Sequence, residues 1–203
     1  MRKYLTYFLV LPVFCLFVSC AKSDQPSAAA GDYELVASIK DIMDTQIDPS
    51  ADYIWQSIGT EVSAEGIKDK RPQNPDEWKE ARRKAMLLVE GANLLMMPGR
   101  KVAKPGEKAE NPEVELNPEQ IQELIEKDRP AFIKLAKEFQ KISIEQLKAV
   151  EDKDVDSMLR LGGTLDETCE NCHKVYWYPN DPVYKQQSEA EKAGATAPAG
   201  EKK

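Results

Sequence analysis

Apolar positions recur with a helical period along most of the chain. Between 33 and 47, Leu35, Ile39, Ile42, Met43 and Ile47 fall on one stripe of a helix. Asp48-Pro49 interrupts it, and the pair suits a restart that carries Ile54, Trp55 and Ile58 before Gly59. Asn74-Pro75-Asp76-Glu77 opens a second helix, with acids at the positive end of its dipole. Its stripe, Trp78, Ala81, Ala85, Leu88, Ala92 and Leu95, advances by threes and fours, as packed helices require. Pro98-Gly99 stops it, and 99–117 read as a long charged loop. Asn117-Pro118-Glu119 opens a third helical region. Pro130 divides that region into a short helix and a main one reaching about Glu151, with Phe132, Leu135, Phe139, Ile142 and Val150 on one side. A last helix runs from about Asp154 to Trp177 and aligns Leu165, Cys169, Cys172 and Tyr176. Runs of alternating β-branched residues bounded by hairpin turns are missing, so the expectation is an all-α domain with no strand.

The ends of the chain carry a different pattern. Met1-Arg2-Lys3 precedes an apolar run from Tyr4 to Val18. About fifteen residues suit a signal peptide and fall short of the about twenty needed to span a bilayer. The run ends in Phe17-Val18-Ser19-Cys20, which resembles a bacterial lipoprotein box. The expectation is a signal over 1–19 and acylation of Cys20, with an ordinary signal cut nearby as the alternative. A flexible tether comes next over 20–31, then one domain over 32–185 and a disordered tail over 186–203. Acyl chains would hold the domain at a membrane surface, on the periplasmic face of the envelope, with the outer membrane as the expected anchor.

Charge narrows the partners. The chain has 28 basic and 35 acidic residues, a net charge of −7, and loss of Arg2 and Lys3 with a signal makes it −9. That balance argues against nucleic acid and for docking to a basic protein face.

The chemistry is concentrated in five residues. The sole histidine lies in Cys169-Glu170-Asn171-Cys172-His173. Cys-x-x-Cys-His is the attachment pattern of c-type haem: two thiols one helical turn apart add to the vinyl groups of one porphyrin, and the adjacent imidazole ligates its iron. Zinc would need four ligands, and a thioredoxin-like pair would need a strand and a βαβ setting. Cys15 would leave with the signal and Cys20 would carry lipid, so no thiol remains idle. One covalent haem c per chain is expected, with His173 as proximal ligand.

Helices in this order, with Cys169, Cys172, His173 and Tyr176 at the end of the last and Met43 on the first, resemble the class II cytochromes c. These are cytochrome c′ and its methionine-ligated, low-spin relatives. The resemblance covers about residues 32–180. It implies an antiparallel four-helix bundle with haem near the C-terminal end of the last helix, and a homodimer through the first two helices. Two positions depart from the family. Trp177 stands where an arginine often follows the tyrosine, and Ile39 stands four before Met43 where the family tends to have arginine, with Lys40 adjacent and within reach of a propionate.

With one histidine, two-histidine ligation is impossible, and methionine is the next choice for the iron's other face. Met43 occupies the position that resembles the family's distal residue. Met86, Met96, Met97 and Met158 read as packing. The aromatic run Tyr176, Trp177 and Tyr178 would shield the haem edge or cap the end of the domain. The bases from Arg100 to Lys104 read as a solvated loop. The expected function is one-electron transfer to and from redox partner proteins, without enzymatic activity. The alternative is five-coordinate haem that binds or sequesters small gases such as nitric oxide or carbon monoxide.

Overall fold

The computed structural model describes residues 33–186 apart from residue 65. The expected signal, Cys20, the tether and nearly all of the tail lie outside the described residues. Among those described, no helix is long and apolar enough to cross a membrane.

The protein is mostly helical. Helix α1 (Ile39–Ile42) starts from Ser38, whose hydroxyl accepts from the Asp41 amide, while the Asp41 carboxylate accepts from the Ser38 amide. This reciprocal pair satisfies two amides that a helix start leaves unpaired. The chain then widens into a π-helical turn over Met43–Ile47, closed by the Asp48 amide donating five residues back to the Met43 carbonyl. Helix α2 (Asp48–Ser57) comes next, with Pro49 in its first turn. The sequence reads the break at Asp48-Pro49 as an interruption. The helix instead runs through it, because proline in a first turn gives up an amide that the wider turn does not need.

Residues 59–70 correct the all-α expectation. Strands β1 (Gly59–Ser63) and β2 (Gly66–Lys70) form an antiparallel hairpin with Val62 opposite Ile67. Gly59 and Gly66 adopt φ of 137° and 121°, values open to glycine and strained for other residues. Each strand has five residues, and the β2 side chains are exposed throughout. No buried face therefore imposes the apolar alternation by which a strand is recognised.

Helix α3 (Pro75–Met96) is capped by Asn74, whose side chain accepts from the Asp76 and Glu77 amides. Its expected stripe is the buried one: Ala81, Ala85, Leu88 and Ala92 are fully enclosed. Helix α4 (Pro118–Lys127) and helix α5 (Arg129–Glu151) divide at Asp128, which caps α5 and leaves Pro130 in its first turn. Helix α6 (Val155–Tyr176) starts at the Asp154 cap. Contacts run α2 to α3, α3 to α5, α5 to α6 and α6 back to α2, enclosing one core. Trp55 of α2 ties to α6 by donating to the Gly162 carbonyl at 3.0 Å.

The loop after α3 is less solvated than its charges suggest. Arg100 is buried and donates to the carbonyls of Leu94 and Ala37. The Lys101 and Val102 carbonyls accept from the Ile39 and Lys40 amides, completing the start of α1. Val102 enters the core, so this loop positions α1.

Candidate functional site

An apolar recess lies where α6, α5 and the π-helical turn meet. It encloses about 40 Å3 behind an open mouth. Cys169, Cys172 and His173 of α6 form one wall, and Met43 and Ile47 of the π-helical turn belong to another. Phe132, Leu135 and Phe139 of α5 complete it. A second recess of about 150 Å3 shares Met43, Asp48 and His173 and extends toward Lys40, Leu116 and Trp177.

Each of these side chains arrives by a simple local rule. Cys169 and Cys172 lie three apart on α6, on the side that also buries Leu165 and Tyr176. Met43 comes just after the buried pair Ile39 and Ile42, at the point where the wider turn begins. The extra residue per turn rotates the downstream positions, so Met43 and Asp48 come onto one side and line both recesses.

Both thiols are free, and each is pushed up to about 12, mainly by desolvation. A neutral thiol in apolar surroundings is a poor nucleophile toward disulfides and a poor ligand for a bare cation. Among the described residues, no group of three or more His, Cys, Asp or Glu is arranged to hold a metal ion. Haem iron makes no such demand, since the porphyrin supplies four donors and the protein only axial ones.

His173 is held through one ring nitrogen. Its Nδ1 lies 3.2 Å from the Tyr178 hydroxyl, which donates to Glu170 Oε1 at 2.9 Å. The hydroxyl's single proton goes to Glu170, which leaves Nδ1–H as the donor to Tyr178; in a neutral ring of that tautomer the lone pair is on Nε2. Tyr184 donates to the other Glu170 oxygen. Burial alone would raise Glu170, but the bonds from Tyr184 and Tyr178 more than offset it, and the carboxyl titrates below its ordinary range. Asp48 reaches solvent at the recess mouth, yet partial desolvation raises its carboxyl, opposed by His173 nearby.

The remaining expectations divide. Tyr176 is buried and stacks edge-on against Phe132 at 5.5 Å, so it supports the recess from behind rather than lining it. Lys40 lines the second recess, but its ammonium is engaged by Glu110 at 2.5 Å and Asp44 at 3.1 Å. Trp177 sits 6.4 Å from the His173 ring, centre to centre. Met158 is fully buried, and Met97 sulfur meets the Arg100 guanidinium at 3.1 Å. Met86 and Met96 are partly buried and line neither recess.

Comparison of the chain with family models, curated proteins and solved structures returns no match. The residues themselves therefore carry the functional argument.

Sequence reasoning missed Glu170 and Tyr184 as partners of the histidine. Glu170 occupies a variable position of the five-residue motif. Tyr184 lies beyond Pro179, after the helix has ended. The returning chain brings it back, held by hydrogen bonds from the Asp181 amide to the Tyr178 carbonyl and from the Lys185 amide to the Asp181 carbonyl.

Proposed function

We propose that this protein is a c-type cytochrome that carries single electrons through one covalent haem held at Cys169 and Cys172. The observation that carries the proposal is the sharing of one apolar recess by both thiols, His173 and Met43. When bound, haem supplies ferric/ferrous chemistry. The chain would hold it by two thioether links at Cys169 and Cys172, with the His173 imidazole and the Met43 thioether as the side chains that would ligate its iron. Phe132, Leu135 and Phe139 would exclude water, and a dry neutral surround favours the ferrous state.

The finer architecture proposed is an antiparallel four-helix bundle of the class II cytochrome c type. The closed circuit of contacts among α2, α3, α5 and α6 supports it. We further propose acylation at Cys20 and anchorage at the periplasmic face of the outer membrane. The partners are redox proteins with basic faces and a second copy of the chain, as the resemblance implies; nucleic acid is not among them.

Absorption spectra of ferric and dithionite-reduced protein, with and without carbon monoxide, test this. A low-spin spectrum unresponsive to carbon monoxide, with haem retained through acid-acetone extraction, is expected. High-spin iron that takes up carbon monoxide would give the lead to gas binding, with Met43 as wall only. Colourless extracted polypeptide would end the haem reading.

A further inference from the structure

The chain beyond α6 turns back upon the motif. The Trp177 and Tyr178 amides both donate to the His173 carbonyl, at 2.7 and 3.0 Å, and tighten the helix end. Tyr178 and Tyr184 then stack nearly parallel, with ring centres 5.2 Å apart. Lys174 lies 4.8 Å over the Tyr184 ring. Both hydroxyls converge on Glu170, one on each carboxylate oxygen.

The proton directions in this array agree with one another. Glu170 accepts twice, Tyr178 accepts from His173 and donates to Glu170, and His173 donates from Nδ1. Removing a proton donor or the final acceptor would break that order. A packed helix cap needs none of it, because Tyr178 and Tyr184 would stack equally well with their hydroxyls in water.

We infer that Glu170, Tyr178 and Tyr184 form a positioning chain for the iron ligand, fixing the His173 ring with Nε2 toward the haem and increasing its electron donation. The inference rests on the haem reading given above. A hydrogen bond at the far nitrogen fixes the tautomer and orientation of a ligating imidazole and raises its basicity. A more basic axial ligand favours ferric iron, so the chain lowers the reduction potential. It opposes the apolar wall and the Met43 thioether, which act in the other direction.

The test uses full-length holoprotein. His173 is the only histidine, so 15N-histidine labelling reports this ring alone. In ferrous wild type, Nδ1–H is expected to exchange slowly with solvent. Tyr178→Phe should make it exchange fast and raise the midpoint potential. A roughly tenfold shift of the ferric/ferrous ratio is expected, which for one electron is about 59 mV. Glu170→Gln keeps an acceptor but removes the charge, so it should move the potential the same way by less. It also carries the test should Tyr178→Phe yield no holoprotein. Covalent haem with potential and exchange unchanged in these variants would overturn the inference while leaving the haem reading intact. Wild type without covalent haem would overturn both.

Discussion

Two regions of one helical domain use the same kinds of residue to opposite ends. Away from the motif, Ile54, Leu88, Met158 and Leu165 are fully enclosed and meet from α2, α3 and α6. Around the motif, Met43, Leu135, Cys169 and Cys172 are only partly buried, and their apolar surfaces border a recess. Met158 and Met43 show the difference most directly. One fills a core, and the other opens the π-helical turn and lines the same recess as His173. Core packing rewards the removal of space, whereas a binding site must hold space open against that tendency. Here the extra residue of the π-helical turn and the aromatic wall of α5 hold it open.

The largest expected effect falls on the recess. Cys172→Ala should abolish stable haem attachment, read as loss of haem mass and colour from the purified chain. An unchanged haem mass would remove the site from this end of the molecule.

Next comes the pair of methionines. Met158→Ala should cost about 2–5 kcal/mol in denaturant unfolding through the cavity it leaves, with the ferric spectrum unaltered. Met43→Ala should cost less and change the spectrum, removing the weak long-wavelength band of thioether-ligated ferric haem and admitting carbon monoxide. Equal stability losses with no spectral change would erase the distinction between the two regions.

Gly91 probes their boundary. A Cβ there would lie 2.7 Å from Ile47 Cγ1, on the turn that forms a recess wall. Gly91→Ala should cost about 1–3 kcal/mol and perturb the haem spectrum, because the strain falls on the π-helical turn.

The closed region also contains a polar flaw. Gln146 is fully buried, and among the described residues neither of its amide atoms has a hydrogen-bond partner. Gln146→Met keeps the shape and removes the unpaired groups. It should raise stability by about 1 kcal/mol, with a higher unfolding midpoint and an unchanged slope.

The smallest effect concerns acid. Asp41 is lowered from 3.8 to about 2, first by the hydrogen bond from Lys104 and then by its bonds with Ser38. A depressed carboxyl contributes stability that is complete above its unfolded value and fades as the pH falls through the folded one. The Asp41 contribution should therefore be intact above pH about 4 and lost on approach to pH about 2. Asp41→Asn should flatten thermal stability across that window, and a slope equal to wild type would discount the contact.

Much of the helical frame was legible because its signals are local. The Asn74, Asn117 and Asp154 caps start helices where their side-chain chemistry demands, and the α3 stripe from Ala81 to Leu95 is the buried one. The hairpin over 59–70 was not legible, since an exposed strand pair leaves no apolar alternation. Arg100 looked solvated because its partners, the Ala37 and Leu94 carbonyls, give no sequence signal.

The sequence by itself determined the helical periods, their caps and the adjacency of two thiols and an imidazole, all consequences of residues within a turn or two of each other. Only the tertiary structure decided that Met43, 130 positions before His173, shares its recess. It alone brought Glu170, Tyr178 and Tyr184 into one hydrogen-bonded chain behind the ring. Such meetings depend on how helices pack and where a chain turns back, and backbone geometry makes neither a function of local sequence spacing.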